Sequence, residues 1–126
     1  MHKSKLAGFI IDCQTDDLPT AARFWSRALG FEEHHYDDPQ LQQYVALVDA
    51  VDDLQVEVQR VDHPSRVHLD IETDNVEAEV ARLEALGAVA LERVRTWCVM
   101  QAPTGQKFCV IRSASRDFDS KANTWT

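Results

Sequence analysis

Nothing in this sequence is long and apolar enough to cross a bilayer. The longest apolar run, Leu6 to Ile11 with Ala7 and Gly8 inside it, falls far short of the roughly 20 residues a spanning helix needs. It follows a positively charged opening, Met1-His2-Lys3-Ser4-Lys5, and leads straight to Asp12 with no small-residue cleavage site. No signal peptide is read, and a cytoplasmic location without membrane partners is expected. Cysteine is scarce and odd in number: Cys13, Cys98 and Cys109 lack Cys-x-x-Cys spacing and sit in apolar, strand-like segments. That excludes a disulfide framework and suits buried thiols of a reduced compartment. Positive charge is also short, with 13 Lys and Arg against 21 Asp and Glu, for a net charge of −8. A basic face for nucleic acid is therefore not expected, and the scattered acids read as a solubilising surface. Glycine and proline number four each, and no stretch is low in complexity.

What remains is a chain of 126 residues, 44% apolar, the size of one domain with a real core. Its most informative feature is that it repeats itself. Thr15-Asp16-Asp17-Leu18 corresponds to Thr73-Asp74-Asn75-Val76 at an offset of 58 (73 − 15), and the same offset sets Phe9-Ile10-Ile11-Asp12 over Val67-His68-Leu69-Asp70. Each segment then enters a helix-like stretch ending in Leu-Gly, at Leu29-Gly30 and Leu86-Gly87. Leu18, Ala21, Ala22, Trp25 and Leu29 recur at helical spacing, with Pro19 near the start and Gly30 as the stop. Val76, Val80, Leu83 and Leu86 form the second stripe, where Asp74 and Glu77 have the spacing of a capping box. Helices are expected at about 17–29 and 75–86, with Phe24 and Trp25 in the core.

Elsewhere the period is two. Leu54, Val56 and Val58 alternate with Gln55, Glu57 and Gln59, and Val67, Leu69 and Ile71 alternate with His68, Asp70 and Glu72. Residues 41–48, 89–95, 97–101 and 107–112 also read as strands, punctuated by turns at Pro39, Asp49 to Asp53, His63-Pro64-Ser65 and Pro103-Thr104-Gly105. The fold class expected is α+β: two βαβββ modules forming curved mixed sheets around a cleft. The first module spans about 5–60, a linker 61–65, the second module about 66–112, and a polar tail 113–126, all in a single domain. If the aliphatic rows face the helices, the row facing the cleft is Ile10 and Asp12, then Gln55, Glu57 and Gln59, and His68 and Asp70. His2 and His63 read as surface residues. The tail should be loosely ordered unless Phe118 and Trp125 dock.

This arrangement resembles the vicinal oxygen chelate superfamily of glyoxalases, bleomycin-resistance proteins and extradiol dioxygenases. The residues that carry the resemblance run from Asp17-Leu18 through Phe24-Trp25 to Leu29-Gly30-Phe31. They continue with Arg66-Val67-His68-Leu69-Asp70 and Thr73-Asp74-Asn75-Val76, and with the stretch from Trp97 through Pro103 and Gly105 to Phe108-Cys109. The pieces Arg66 to Asp70 and Trp97 to Cys109 are similar to the glyoxalase-like domain subgroup. The resemblance implies a metal held by a His on the first strand of each half and a carboxylate on the last, acting as a Lewis acid toward two substrate oxygens. His68 matches one such position. Its repeat partner is Ile10, the second-half carboxylate position falls at Cys109, and Glu57 is the one acid on the strand at 54–59.

A divalent site normally wants three or more protein ligands, so no metal is expected; if one is present, its ligands would be His68, Glu57 and Cys109, and the ion Zn, Ni, Mn or Fe. The first functional expectation is a small-molecule-binding protein or uncharacterised enzyme. Its catalytic candidates are His68, Asp70 and Asp12, the two aspartates being repeat mates that could share a proton. Gln55, Gln59, Trp97, Met100 and Ile10 are the candidate ligand contacts. The alternatives are a metal-dependent lyase, isomerase or dioxygenase with a substituted ligand set, and a dimeric interaction module. Family habit and sheet edges that need covering point to a homodimer.

Overall fold

A computed structural model describes residues 1–51 and 54–126, with the backbone alone at 49–51. Asp52 and Asp53, placed by the sequence in a turn, lie outside the described residues. The elements run β1 (His2–Gln14), α1 (Leu18–Leu29), β2 (Glu32–His35), a 3-10 turn (Pro39–Leu41), β3 (Tyr44–Val51) and β4 (Leu54–Val61). After these come β5 (Arg66–Thr73), α2 (Val76–Ala85), β6 (Val89–Val94), β7 (Trp97–Gln101), β8 (Lys107–Arg112), α3 (Phe118–Lys121) and β9 (Asn123–Trp125). Both expected βαβββ modules are present. The chain divides into two compact units, Gly8–Val67 and Met1–Ala7 with His68–Thr126. No described helix is long and apolar enough to cross a membrane.

The repeat is visible in hydrogen bonds as well as letters. In the first unit the Asp17 backbone N–H donates to Thr15 Oγ1, and the Asp17 side chain then caps α1 by accepting from Thr20 N. In the second, Asn75 N–H donates to Thr73 Oγ1 and Asn75 Oδ1 accepts from Ala78 N. All three residue pairs, 15/73, 17/75 and 20/78, are related by the offset of 58. The α2 cap is therefore Asn75, not the expected Asp74, because the threonine turns the chain one residue later. Asp74 instead accepts from the Lys3 backbone N–H. At the other end of α1, Gly30 adopts φ +77° and its N–H and that of Phe31 both bond Ser26 O, a left-handed stop that favours glycine.

In the Gly8–Val67 unit the strand order is β2-β3-β4-β1, antiparallel except where β1 and β4 run parallel. Leu18 and Ala22 of α1 pack on Val45, Leu47 and Val58, with Trp25 partly buried against them. Phe24 is 61% exposed, edge-on to Trp25 at 5.0 Å, so only one of the two expected core aromatics is in the core. Asp17 to Leu29 puts Phe24 one residue off the stripe that faces the sheet. In the other unit the order β5-β8-β7-β6 repeats the pattern, again closed by a parallel pair, β5 with β8. Val80 and Leu83 of α2 pack on Cys98, Met100, Phe108 and Val110.

The tail is not loose. β9 pairs antiparallel with β1, Trp125 Nε1 donates to Ser4 Oγ at 2.8 Å, and the Arg82 guanidinium lies 3.9 Å from the Trp125 ring centre. Phe118 is buried, and Ser115 donates through its backbone and hydroxyl to buried Glu72. His2, expected at the surface, reaches fully buried Glu79 at 2.8 Å, and Arg82 holds both oxygens of that carboxylate at 2.8 Å. Burial alone would raise the Glu79 pKa. The hydrogen bonds from Arg82, His2 and Ser4, with the charge of Arg82, outweigh it and hold the carboxyl below its ordinary 4.5. A depressed carboxyl stabilises the fold above its unfolded value, and that contribution is lost as pH falls through the folded one. Glu79→Gln should therefore cost about 2–3 kcal/mol at pH 7. The gap between variant and parent should shrink in thermal melts taken progressively below pH 4.5.

Candidate functional site

Alternation places the polar residues of β5 and β8 on the face away from α2. Ile71, Phe108 and Val110 pack toward the helix. His68 and Asp70, and Cys109 on the neighbouring strand, therefore point the other way. The parallel register sets Asp70 against Cys109, and Cys109 lies opposite Val99 of β7. His68, Asp70 and Cys109 are each partly buried, and their ligating atoms lie within 4.8 Å of one another.

Inside this cluster His68 Nε2 stands 3.3 Å from Asp70 Oδ1, with 12% and 16% of the two side chains exposed. The approach lacks hydrogen-bond alignment, and the buried Oδ1 has no hydrogen-bond partner among the described residues. An unsatisfied carboxylate oxygen beside an imidazole is costly in a finished core and calls for a donor. The donor set expected for a metal was His68, Glu57 and Cys109. The structure gathers His68 and Cys109 with Asp70 instead, two residues along the same strand face. That i, i+2 spacing was visible in the sequence.

The Gly8–Val67 unit carries the equivalent row. Ile10 lies opposite Glu57, and Asp12 opposite Gln59, so the residue matching Cys109 is Gln59 and not Glu57. Ile10 and Asp12 are buried, at 5% and 2% exposure. Asp12 Oδ2 is 3.6 Å from Arg66 Nε and 3.9 Å from His63 Nε2, so His63 helps to anchor the join. Glu57 accepts from Tyr36 Oη at 2.7 Å, and Gln59 donates to Tyr44 Oη at 3.2 Å. Burial and the adjoining Glu57 carboxylate push the Tyr36 phenol well above its ordinary range, so it stays a donor. Neither tyrosine was singled out from sequence, since nothing in their spacing ties them to β4. Gln55 is exposed at the start of the same row, across from Gly8.

Two expected ligand contacts separate. Trp97 is half-buried on the face that His68 occupies, whereas Met100 is fully buried among Val80, Leu83, Cys98, Phe108 and Val110. An odd and an even residue of one strand cannot share a face. All three thiols are free; Cys98 is buried, and Cys13 and Cys109 are half-buried. Burial raises the Cys13 and Cys98 thiols, which makes them inert packing groups.

The model of one protein family, the glyoxalase-like domain, matches residues 8–111. The chain belongs to the glyoxalase-like domain family. With it comes membership of the vicinal oxygen chelate superfamily, whose fold is the one described above. Among solved structures this glyoxalase-like protein is similar to methylmalonyl-CoA epimerase from Mycobacterium tuberculosis, with 14% identity over 88% of this chain and 89% of that one and a TM-score of 0.65. The Streptomyces coelicolor epimerase in complex with 2-nitronate-propionyl-CoA gives 18% identity, 88% and 98% coverage, and 0.60. A hypothetical protein from Bacillus halodurans gives 11%, 90% and 96%, and 0.64. These likenesses show the fold. No curated protein matches the chain.

The placement of the two β7 residues is directly checkable. Met100→Ala should lower unfolding free energy by about 2–5 kcal/mol in denaturant melts, as a core truncation, whereas Trp97→Ala should cost less than half as much.

Proposed function

We propose that this glyoxalase-like protein binds a small organic molecule at His68, Asp70 and Cys109, without a resident divalent metal, and uses His68 and Asp70 for proton handling. The observation that carries this reading is the buried Asp70 Oδ1, which has no hydrogen-bond partner among the described residues and faces an imidazole 3.3 Å away. A hydroxyl or N–H of a ligand would satisfy it, and the neighbouring imidazole can take or give a proton at that atom. Trp97, on the same face, offers an aromatic contact. Similarity to epimerases crystallised with a CoA-linked ligand supports a small-molecule role in general terms.

One observation favours a second reading, a zinc site. Imidazole, thiolate and carboxylate suit that ion, and three such donors converge here. Tetrahedral zinc sets its donors roughly 3.3–3.8 Å apart, and His68 Nε2 and Asp70 Oδ1 already stand 3.3 Å apart. The equivalent positions of the other unit, Ile10, Asp12 and Gln59, offer one carboxylate already held by Arg66 and His63. Zinc here would act as a Lewis acid on a substrate oxygen.

Elemental analysis separates the readings. The expected result is no stoichiometric metal, a melting temperature indifferent to chelator, and a small-molecule thermal shift weakened at least about tenfold by His68→Ala. About one equivalent of zinc, nickel, manganese or iron, lost in His68→Ala or Cys109→Ser, would replace the first reading with the second.

Homodimerisation belongs to the same proposal. β6 ends its sheet and exposes Val89 and Leu91, an apolar edge that a second copy would cover. Light scattering at micromolar concentration should give twice the monomer mass.

A further inference from the structure

Between the ends of β5 and β8, the start of α2 and the β6–β7 turn lies a cleft of about 940 Å³. Three arginines from separate places in the chain line it: Arg93 near the end of β6, Arg95 in the turn, and Arg112 at the end of β8. In a chain of net charge −8, a lining with three guanidinium groups against the carboxylates of Asp74 and Glu77 stands out. Asp74 is occupied by Lys3 N, and Glu77 by Arg93. Arg112 forms no ion pair among the described residues.

Arg95 adds a separate indication. At φ +50° it is the one non-glycine among the described residues in the left-handed region, at the tip of the two-residue turn joining β6 to β7. Glycine or asparagine is the usual occupant of such a position. An arginine held there against its backbone preference, with its side chain on a cleft, is the kind of local strain that accompanies a binding role.

We propose that this cleft binds a phosphate-bearing small molecule, with Arg95 and Arg112 as its principal cationic contacts. Phosphate fits better than carboxylate because the lining offers more donors than two oxygens can accept. Besides the arginines there are the Thr96 hydroxyl and the N–H groups of Val76 and Glu77, at the positive end of α2. The cleft has room for an organic body behind the phosphate. It lies on the α2 side of the sheet, since Arg112 and Arg93 share faces with Phe108, Val110 and Cys98, and is thus distinct from the His68 cluster on the opposite face.

Calorimetric titration at low salt with phenyl phosphate, and with benzoate for comparison, tests the proposal on the intact chain. Phenyl phosphate should bind saturably, and benzoate at least about tenfold more weakly. Arg112→Gln and Arg95→Gly should each weaken phenyl phosphate by about tenfold or more, while Arg23→Gln, the same loss of charge on α1, should change it less than about twofold. Arg95→Gly removes the strain of the left-handed turn, and its melting temperature, read beside the titration, separates a loss of binding from a loss of folding. No saturable binding of phenyl phosphate, equal affinity for benzoate, unchanged binding in both cleft variants, or an equal loss in Arg23→Gln would each overturn the assignment.

Discussion

Everything in this molecule hangs on two parallel strand pairs, β1 with β4 and β5 with β8. A parallel pair cannot be joined by a tight turn, so the chain between its strands must travel. Here it makes a helix on one face and an antiparallel excursion before returning beside the strand where it began. The first pair is unusually close: a Cβ built on Gly8 would stand 1.8 Å from the Gln55 carbonyl oxygen. Only glycine permits that approach, and any side chain there would push β1 off β4. Once the pairs close, register follows, and register decides which polar groups meet. Asp12 meets Gln59 and Asp70 meets Cys109.

The same scaffold is used twice with different chemistry on its polar row. In the Gly8–Val67 unit the row is tied into pairs: Tyr36 on Glu57, Gln59 on Tyr44, and Arg66 and His63 beside Asp12 Oδ2. Asp12 Oδ1, like Asp70 Oδ1, is buried without a hydrogen bond among the described residues. In the other unit His68, Asp70 and Cys109 converge and leave a buried oxygen in want of a donor. What differs is the partner of each aspartate: cations flank Asp12, whereas an imidazole and a thiol converge on Asp70. That convergence of three reactive side chains is why function is proposed for the second row.

Much of the fold was legible because duplication and periodicity are local signals. The offset of 58 located both helices and the strand that precedes each. The faces of β4 and β5 were legible because polar and apolar residues alternate cleanly there. β7 reads Trp97-Cys98-Val99-Met100-Gln101, apolar on both faces, so hydrophobicity could not tell which residues face α2. Parity could have separated Trp97 from Met100. The partner of Cys109 was hidden by the connection before β4, whose length differs from its counterpart in the second unit. The tail meets the condition set for its order, the docking of Phe118 and Trp125. Its order comes from Ser115 on Glu72 and Trp125 on Ser4 and Arg82, contacts between residues far apart in sequence that leave no periodic trace. The arginines of the α2 cleft likewise leave no local signal, being brought together only by the fold.

The unit that carries both candidate sites is discontinuous, built from Met1–Ala7 and His68–Thr126 with the whole of Gly8–Val67 threaded between them. Its first strand and its last one, β1 and β9, are the farthest-separated partners in the chain. Closing that contact carries the largest loop entropy of any pairing here, and the cost falls once the intervening unit has collapsed and drawn its own ends together. The quieter half of the molecule thus has an entropic office. Closed by its own β1–β4 pair, it shortens the effective loop between the two pieces of the other unit.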